Sequence, residues 1–240
     1  MTADPTTLAQ SHAAPGFADP DAPSLPLHVV GQEALAAFRA GLPDAWAAWL
    51  IATGFEAGLG EVRVLPAPDG GVAGAVVGFG TAKARRRTRF GLAKAVAALP
   101  AGTWRLEGDL TLAERTEAAL GWLLATYRFD RYRPGKAPAA LPGLICPEGV
   151  DGARLQAMAA GEFLTRDLIN TPASDMGPAE LEAEVVALAG RFGARVTAVR
   201  GDDLLAQGFP MIHAVGRASP RAPRLLDLRW GAAGPQVTLV

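Results

Sequence analysis

The three histidines and the single cysteine form none of the short-spaced patterns that carry chemistry. His12, His28 and His213 lie far apart in the chain, and no HExxH zinc motif occurs. The GxSxG phrase of serine hydrolases, the GxxxxGK[ST] phosphate loop and a GxGxxG phrase after a strand are also missing. The glycines of Gly78-Phe79-Gly80 are better explained as the end of a strand. The sequence therefore assigns no catalytic, metal-binding or cofactor-binding residue.

One segment, Lys83–Lys94, has a charge pattern that could bind a ligand. Five basic residues fall between Lys83 and Arg89, and such a cluster can contact phosphate or nucleic acid. The alternative is a solvated loop that leads into a helix over Leu92–Leu99. No interleaved aromatic platform or helix-turn-helix pattern accompanies the cluster. The formal net charge of −1 adds no bulk attraction, so we do not expect a nucleic-acid partner.

The composition is that of a globular protein with room for one or two domains. Half of the 240 residues are hydrophobic and 20% are charged. Cys146 has no second cysteine with which to form an internal disulfide, which fits a reducing compartment. The sequence has no apolar run of about 18 residues and no secretory signal pattern. These features predict a cytoplasmic protein that does not bind membranes.

The first part of the chain predicts a disordered tail and then an α/β domain. Residues Met1–Pro26 are rich in proline, alanine and aspartate, so we expect disorder there. Strands alternate with helices over Leu27–Cys146, which is typical of an α/β domain. Within it, Trp46 and Trp49 recur at helical spacing after Asp44, a candidate helix cap, and are interpreted as a core stripe in preference to a ligand platform.

The second part, residues 147–240, predicts an α/β domain with helices packed on a mixed sheet, of which this sequence gives only the first part. Periodic apolar residues predict a helix that ends at Asn170 and a second one that ends at Gly193. Further elements are predicted after it. They are strands over Arg195–Val199, Met211–Val215, Arg224–Trp230 and Gln236–Val240, and a short helix over Asp202–Ala206.

The two long helices of this part meet at a joint over Leu164–Glu184 (LTRDLINTPASDMGPAELEAE). Pro172 removes a backbone donor and stops the first helix, and Pro178 is suited to the first position of the next. The phrases RDLINTP at Arg166–Pro172 and GFPMIHAVGRAS at Gly208–Ser219 resemble the segment that enters the catalytic domain of the leucyl aminopeptidase family. The resemblance covers roughly the last 80 to 90 residues. Before it, Gly102–Gly108 (GTWRLEG) is similar to a phrase of the family's N-terminal domain.

The resemblance implies a complete protein that removes N-terminal residues from peptides with two divalent ions, zinc or manganese, within a hexamer. It also implies that the metal ligands, a lysine and several acidic residues, follow the strand that resembles PQVTLV at Pro235–Val240. No metal-binding or substrate-contacting residue of the family therefore maps onto this sequence. We expect the 240-residue chain to hold no metal and to be inactive alone. A Gly-Lys-Gly phrase and an aspartate encoded after Val240 would identify the family.

Three polar residues of the second part need separate consideration. His213 could support metal ligands from a distance, but a lone strand histidine is more often a satisfied core or boundary residue. Asp175 could orient a loop, but a turn role is favoured. Arg217 stands where many relatives have glutamine or lysine, so its role is open. Two other classes also remain: a non-catalytic module that binds through residues 83–89, and an oligomer-shaping domain without a ligand.

Overall fold

The computed structural model describes residues 14–132 and 140–239 and divides into two compact units. The first unit runs to Phe163 and the second begins at Leu164. This division falls within a helix, later than the boundary at Cys146 that the sequence predicts. His12 lies outside the described residues. No helix in the described ranges combines the length and the apolar character needed to cross a membrane.

The first unit is built on a five-stranded sheet. Its strands are β1 Leu25–Gly31, β2 Val62–Pro66, β3 Val72–Gly80, β4 Thr103–Glu107 and β5 Gly143–Leu144. Their spatial order is β2-β3-β1-β4-β5. Strand β1 is parallel to β3 and β4, β5 is parallel to β4, and β2 is antiparallel to β3. The chain therefore crosses over β1 between β3 and β4, as parallel pairing requires.

Helices cover both faces of this sheet. They are α1 Leu35–Ala40, α2 Asp44–Ala52, α3 Ala82–Arg87, α4 Ala95–Ala98, α5 Leu112–Ala125 and α6 Gly152–Asn170, with 3₁₀ turns at Gln32–Ala34 and Gly91–Lys94. Because side chains alternate across a strand, Val29 and Val77 join a core with α4, α5 and α6. Val30 and Val76 point to the other face and join a core with α1 and α2. The unit is thus a three-layer α/β domain, as predicted.

Four details of the first unit differ from the prediction. The predicted disorder is wrong for residues 14–26, because Phe17 packs against the core and the Ala18 N–H donates to the Leu144 carbonyl at 2.8 Å. The basic cluster is not a loop but helix α3. The predicted helix Leu92–Leu99 is in part a 3₁₀ turn. Asp44 is the first residue of α2 and not its cap, which is Pro43.

The second unit contains helices around a two-stranded antiparallel sheet. The elements are α7 Pro178–Phe192, β6 Arg195–Arg200, α8 Asp203–Ala206, α9 Pro210–Gly216 and β7 Arg224–Arg229. Helix α6 ends at Asn170 and α7 begins at Pro178, as predicted. Gly193 ends α7 with φ +65°, a left-handed conformation that glycine adopts without steric cost.

Two predicted strands of this unit are wrong. Met211–Val215 is helical, because Pro210 opens α9 at its first turn. A five-residue apolar run has no decisive periodicity, so the sequence could not separate strand from helix there. Within the described residues, Gln236–Leu239 has no regular structure. Val237 and Leu239 are 82% and 93% exposed, and β7 pairs with β6 alone in the described sheet.

Candidate functional site

The joint between α6 and α7 is held by side chains that the sequence singles out. Thr171 is 4% exposed, and its hydroxyl donates to the Asp167 carbonyl at 2.7 Å. The backbone then turns, with the N–H groups of Asp175 and Met176 both donating to the Pro172 carbonyl. Asp175 therefore lies in a turn, and the hydrogen-bonding role predicted for its side chain stays a prediction.

Gly177 precedes α7 and lies close to the Arg221 side chain. The Gly177 N–H donates to the Glu180 carboxylate at 3.0 Å, and Pro178 occupies the first helical position. A β-carbon on Gly177 would lie 2.2 Å from Nη1 of Arg221. Arg221 approaches this closely because its guanidinium donates to the carbonyls of Ala173 and Ser174. Arg221 therefore fixes the turn and occupies the space beside Gly177.

A buried carboxylate and two arginines form a charged cluster in this unit. Glu182 on α7 is 8% exposed and accepts hydrogen bonds from Arg200 and Arg224. The hydrogen bond from Arg200 holds the pKa of Glu182 below its usual value, while burial opposes it and Arg224 adds to it. The same hydrogen bond raises the pKa of Arg200. The cluster joins helix α7 to both strands.

Sequence reasoning missed this cluster, although one signal was present. Arg200 ends β6 and Arg224 begins β7, and the antiparallel register places them opposite each other. Like charges directly opposite each other on neighbouring strands are destabilising. Glu182 on α7 offsets this repulsion by accepting hydrogen bonds from both arginines. The pairing becomes visible only when the register is known.

His213 and Arg217 lie on or beside helix α9. Nε2 of His213 is 3.0 Å from the Asp202 carboxylate, whose side chain is 96% exposed. The strand predicted around His213 is wrong, because the residue lies on α9, and a role in supporting metal ligands remains the untested alternative. The Arg217 N–H donates to the His213 carbonyl at 2.9 Å. Its side chain is exposed and has no hydrogen bond or ion pair among the described residues, so its role stays open.

The chemistry available at this joint is that of a scaffold. Within residues 14–132 and 140–239, no group of three or more histidine, cysteine or acidic side chains is arranged to hold a metal ion. The described side chains therefore do not fit a divalent-metal site. Glu180 and Glu182 are engaged by arginines, which positions α7 against the strands.

The basic cluster of the first unit is only partly free. Arg85 lies 4.4 Å from the ring of Phe79, and Arg89 donates to Glu117 at 2.7 Å. Lys83, Arg86 and Arg87 are exposed, and the described part of the chain gives them no hydrogen-bond or ion-pair partner. The three consecutive arginines end α3, and positive side chains at the C-terminus of a helix interact favourably with its dipole. The cluster thus has a structural explanation without a ligand.

The tryptophan pair covers the edge of the sheet in the first unit. The Trp46 and Trp49 indole N–H groups donate to the carbonyls of Pro66 and Val64, each at 3.0 Å. These carbonyls belong to the edge strand β2. Trp46 also packs against the smaller core, but Trp49 is 43% exposed. The predicted core stripe is thus correct for Trp46 and not for Trp49.

Comparisons with known families match both units of the chain. A family described as M17 aminopeptidase, N-terminal domain, matches residues 25–147. The cytosol aminopeptidase family, catalytic domain, matches residues 163–240. A probable cytosol aminopeptidase of Leifsonia xyli subsp. xyli is 34% identical over 210 residues, which is 82% of this chain and 42% of the relative. One of Methylobacterium radiotolerans is 34% identical over 190 residues, or 71% of this chain and 37% of the relative.

Solved structures give the same relationship. The cytosol aminopeptidase of Coxiella burnetii has a TM-score of 0.74 and 29% sequence identity, and the match covers 88% of this chain and 45% of that one. The bottromycin maturation enzyme BotP in complex with Mn has a TM-score of 0.65 and 28% identity, over 86% of this chain and 45% of that one. The chain thus spans less than half the length of the proteins it matches here.

Proposed function

Because the chain belongs to the cytosol aminopeptidase (M17) family, we propose that the complete protein hydrolyses N-terminal residues from peptides. The observation that carries this proposal is the catalytic-domain match over residues 163–240, which includes the α6–α7 joint and both strands of the second unit. The names of the relatives agree with this reaction. Peptides with a free N-terminus are therefore the proposed substrates.

The proposed cofactor of the complete protein is a pair of divalent ions, manganese or zinc. Such ions polarise a carbonyl and generate a hydroxide at neutral pH. The manganese complex of BotP, at 28% identity, supports this choice. The match covers only 42% of the first relative's length, so we propose that the remainder of the complete protein supplies the metal ligands. The role proposed here for Glu182, Arg200, Arg224 and Arg221 is to hold the entrance of the catalytic domain in shape.

An activity assay tests whether the complete protein is active and the 240-residue chain is not. Hydrolysis of leucine amide with added Mn²⁺ or Zn²⁺ should be measured for the 240-residue chain and for the complete gene product. We expect metal-dependent turnover from the complete protein and none from this chain alone. Turnover by the 240-residue chain would refute its inactivity, and failure of the complete protein with both metals would refute the proposed reaction.

We also propose that the complete protein works in the cytoplasm as a hexamer. The names of the curated relatives support a cytosolic location, and the hexamer follows from the family resemblance alone. Light scattering coupled to gel filtration of the complete protein gives the assembly size. A stable monomer at micromolar concentration would contradict the hexamer.

A second candidate function is phosphate or nucleic-acid binding by the first unit. It is favoured by the exposure of Lys83, Arg86 and Arg87 on and beside one turn of α3. Their triple replacement by alanine should abolish any salt-sensitive DNA or nucleotide affinity. Arg85 is retained in this variant, because it contacts Phe79 and the carbonyl of Gly80. Absence of binding at low salt would dismiss this candidate.

A further inference from the structure

A small cavity lies in the first unit beside Arg85, in a part of the molecule that the proposed hydrolysis does not use. Its volume is about 160 Å³. One water occupies roughly 30 Å³ in the liquid, and sites for drug-sized ligands begin at roughly 300 Å³. The cavity therefore suits a molecule much larger than water but smaller than a nucleotide.

The cavity is placed where α/β sheets commonly bind ligands. Phe79 and Arg85 come from the carboxyl end of β3 and the helix after it, and Glu114 and Glu117 come from α5, the helix after β4. Since β1 separates β3 from β4, these segments converge from both sides of the central strand. Ligands of open α/β sheets bind outside the carboxyl ends of strands, where the direction of the connections reverses.

The charged groups in the wall include N–H donors and a carboxylate acceptor that form no hydrogen bond within the described residues. Nη1 of Arg85 donates to the Gly80 carbonyl at 3.1 Å, but Nε and Nη2 form no hydrogen bond in the described residues. Nε forms an ion pair with Oε1 of Glu114 at 3.9 Å and Nη2 forms one with Glu33 at 3.7 Å, and both distances are longer than a hydrogen bond. Oε2 of Glu114 is engaged by Thr111, whereas Oε1 has no hydrogen bond in the described residues.

Apart from Thr88, the remaining wall is apolar, and it includes a strained residue. Phe90, Leu59 and Leu92 line it together with Phe79. Phe90 has φ +57°, a left-handed conformation that is rare and costly for an aromatic residue. It is held there because its N–H donates to the Glu117 carboxylate at 2.9 Å. Such strain is concentrated at functional sites in proteins.

The charges limit the class of ligand. A simple anion such as phosphate would meet Arg85 but would be repelled by Glu33, Glu114 and Glu117 close by. A simple cation would meet the acidic groups but would be repelled by Arg85. A zwitterion satisfies both, with its carboxylate on Nε and Nη2 of Arg85 and its ammonium on Oε1 of Glu114. An apolar side chain then fits against the aromatic and leucine side chains.

We propose that this cavity binds a free α-amino acid with an apolar side chain. Free amino acids are also the products of the proposed peptide hydrolysis, so the site would let product accumulation act on the complete enzyme. Regulation of the enzyme by its products rests on the proposed function, whereas the binding of an amino acid to the cavity does not. The binding test therefore needs no turnover and can succeed or fail independently of the peptidase assay.

Calorimetric titration of the 240-residue chain with L-leucine and L-phenylalanine tests the proposal. We expect saturable binding with one site per chain in the millimolar range or below. N-acetylleucine lacks the ammonium and leucine amide lacks the carboxylate, and each should bind about tenfold more weakly or worse, because each loses a charge-assisted hydrogen bond. Equal affinity for N-acetylleucine, or no heat with any free amino acid, would overturn the proposal.

Two variants locate the site. Glu114→Gln keeps the helix cap, which glutamine can also form, and should weaken leucine binding about tenfold. Ala113→Leu, at an exposed helical position on the cavity rim, should block binding. Ala157→Leu on the exposed face of α6 is the matched control and should bind like the parent. Undiminished binding by Ala113→Leu with an unchanged circular dichroism spectrum would place the ligand elsewhere and contradict the assignment.

Discussion

Nε of Arg200 lies 3.0 Å from both carboxylate oxygens of Glu182 and joins the end of β6 to helix α7. Arg224 contacts the same carboxylate from β7, and its side chain is only 14% exposed. A carboxylate shared by two arginines cannot be removed without leaving positive charge that lacks a partner. The second unit therefore depends on this one acidic residue for the packing of α7 on its strands.

Glu182→Gln should destabilise the second unit by about 2–4 kcal/mol. We expect a smaller loss of unfolding free energy than the largest values for a broken buried ion pair, because the Arg200 side chain is 54% exposed. Hydrogen exchange followed by mass spectrometry should show faster exchange of α7 and β7 peptides at pH 7. Glu148→Gln replaces an exposed glutamate of the first unit and should change stability by less than about 0.5 kcal/mol.

The effect of Glu182→Gln should also depend on pH. The pKa of Glu182 is lowered in the folded state, so its contribution is complete above about 4.5, its ordinary value. As the pH falls through the lowered folded pKa, the carboxylate is protonated and the contribution is lost. The difference between parent and variant should therefore shrink below about pH 4.5. A difference that stays constant down to pH 2 would contradict the ionic origin.

His28 should make the first unit less stable in mild acid. Burial lowers the pKa of His28, while Glu107 opposes this shift in part. Below about pH 6.5 the unfolded chain takes up a proton that the folded chain does not. The free energy of unfolding therefore decreases as the pH is lowered, until the folded pKa is reached. His28→Gln should flatten the stability profile between pH 7 and 5 in urea titrations. A variant with an unchanged slope in this window would disprove the assignment.

Gly78→Ala should severely destabilise the first unit. Its β-carbon would lie 2.1 Å from the Gly58 carbonyl oxygen and 2.5 Å from the Ala57 carbonyl carbon, and neither is a flexible side-chain atom. We expect a loss of about 3 kcal/mol or more, seen in the fluorescence of the buried Trp104 and Trp122. Gly161→Ala is the control, because its β-carbon meets no atom within 4 Å and helix propensity should add about 0.5–1 kcal/mol.

Replacing Trp46 and Trp49 together by phenylalanine should promote self-association. The two indole N–H groups occupy carbonyls of the edge strand β2, and free edge carbonyls can pair with another chain. Phenylalanine keeps a six-membered aromatic ring and removes the indole N–H together with the five-membered ring that carries it. Light scattering on heating should detect aggregation at lower temperature than in the parent, and Trp230→Phe in the second unit serves as the control. An unchanged onset would mean that the indoles do not protect the edge.

Local backbone structure could be predicted from the sequence where a single residue type determines the backbone conformation. Pro178 and Gly193 mark the two ends of α7, and the structure places both as predicted. The environment of His213 could not be predicted, because a short apolar run fits a strand or a helix and Pro210 decided for the helix. The cluster around Glu182 was missed for another reason: it depends on the β6–β7 register, which links residues far apart in sequence.

The cavity beside Arg85 also could not be predicted from the sequence. Its wall needs α5 to be brought next to the segment after β3, and the crossover over β1 that does so is a property of topology. The sequence drew attention to Arg85 as one of five basic residues. Its burial against Phe79 distinguishes it from Lys83 and Arg86 and could be seen only in three dimensions.

The position of β1 also affects how the polypeptide acquires its shape during synthesis. Leu27 is paired with Ala75 on one side and with Leu106 on the other, so β1 leaves the ribosome before both of the strands with which it pairs. Until β4 has emerged, β1 exposes one full row of amide and carbonyl groups to other nascent chains. We therefore expect slow translation between β3 and β4 to lower the yield of folded protein, and chaperone binding to concentrate on nascent chains of that length.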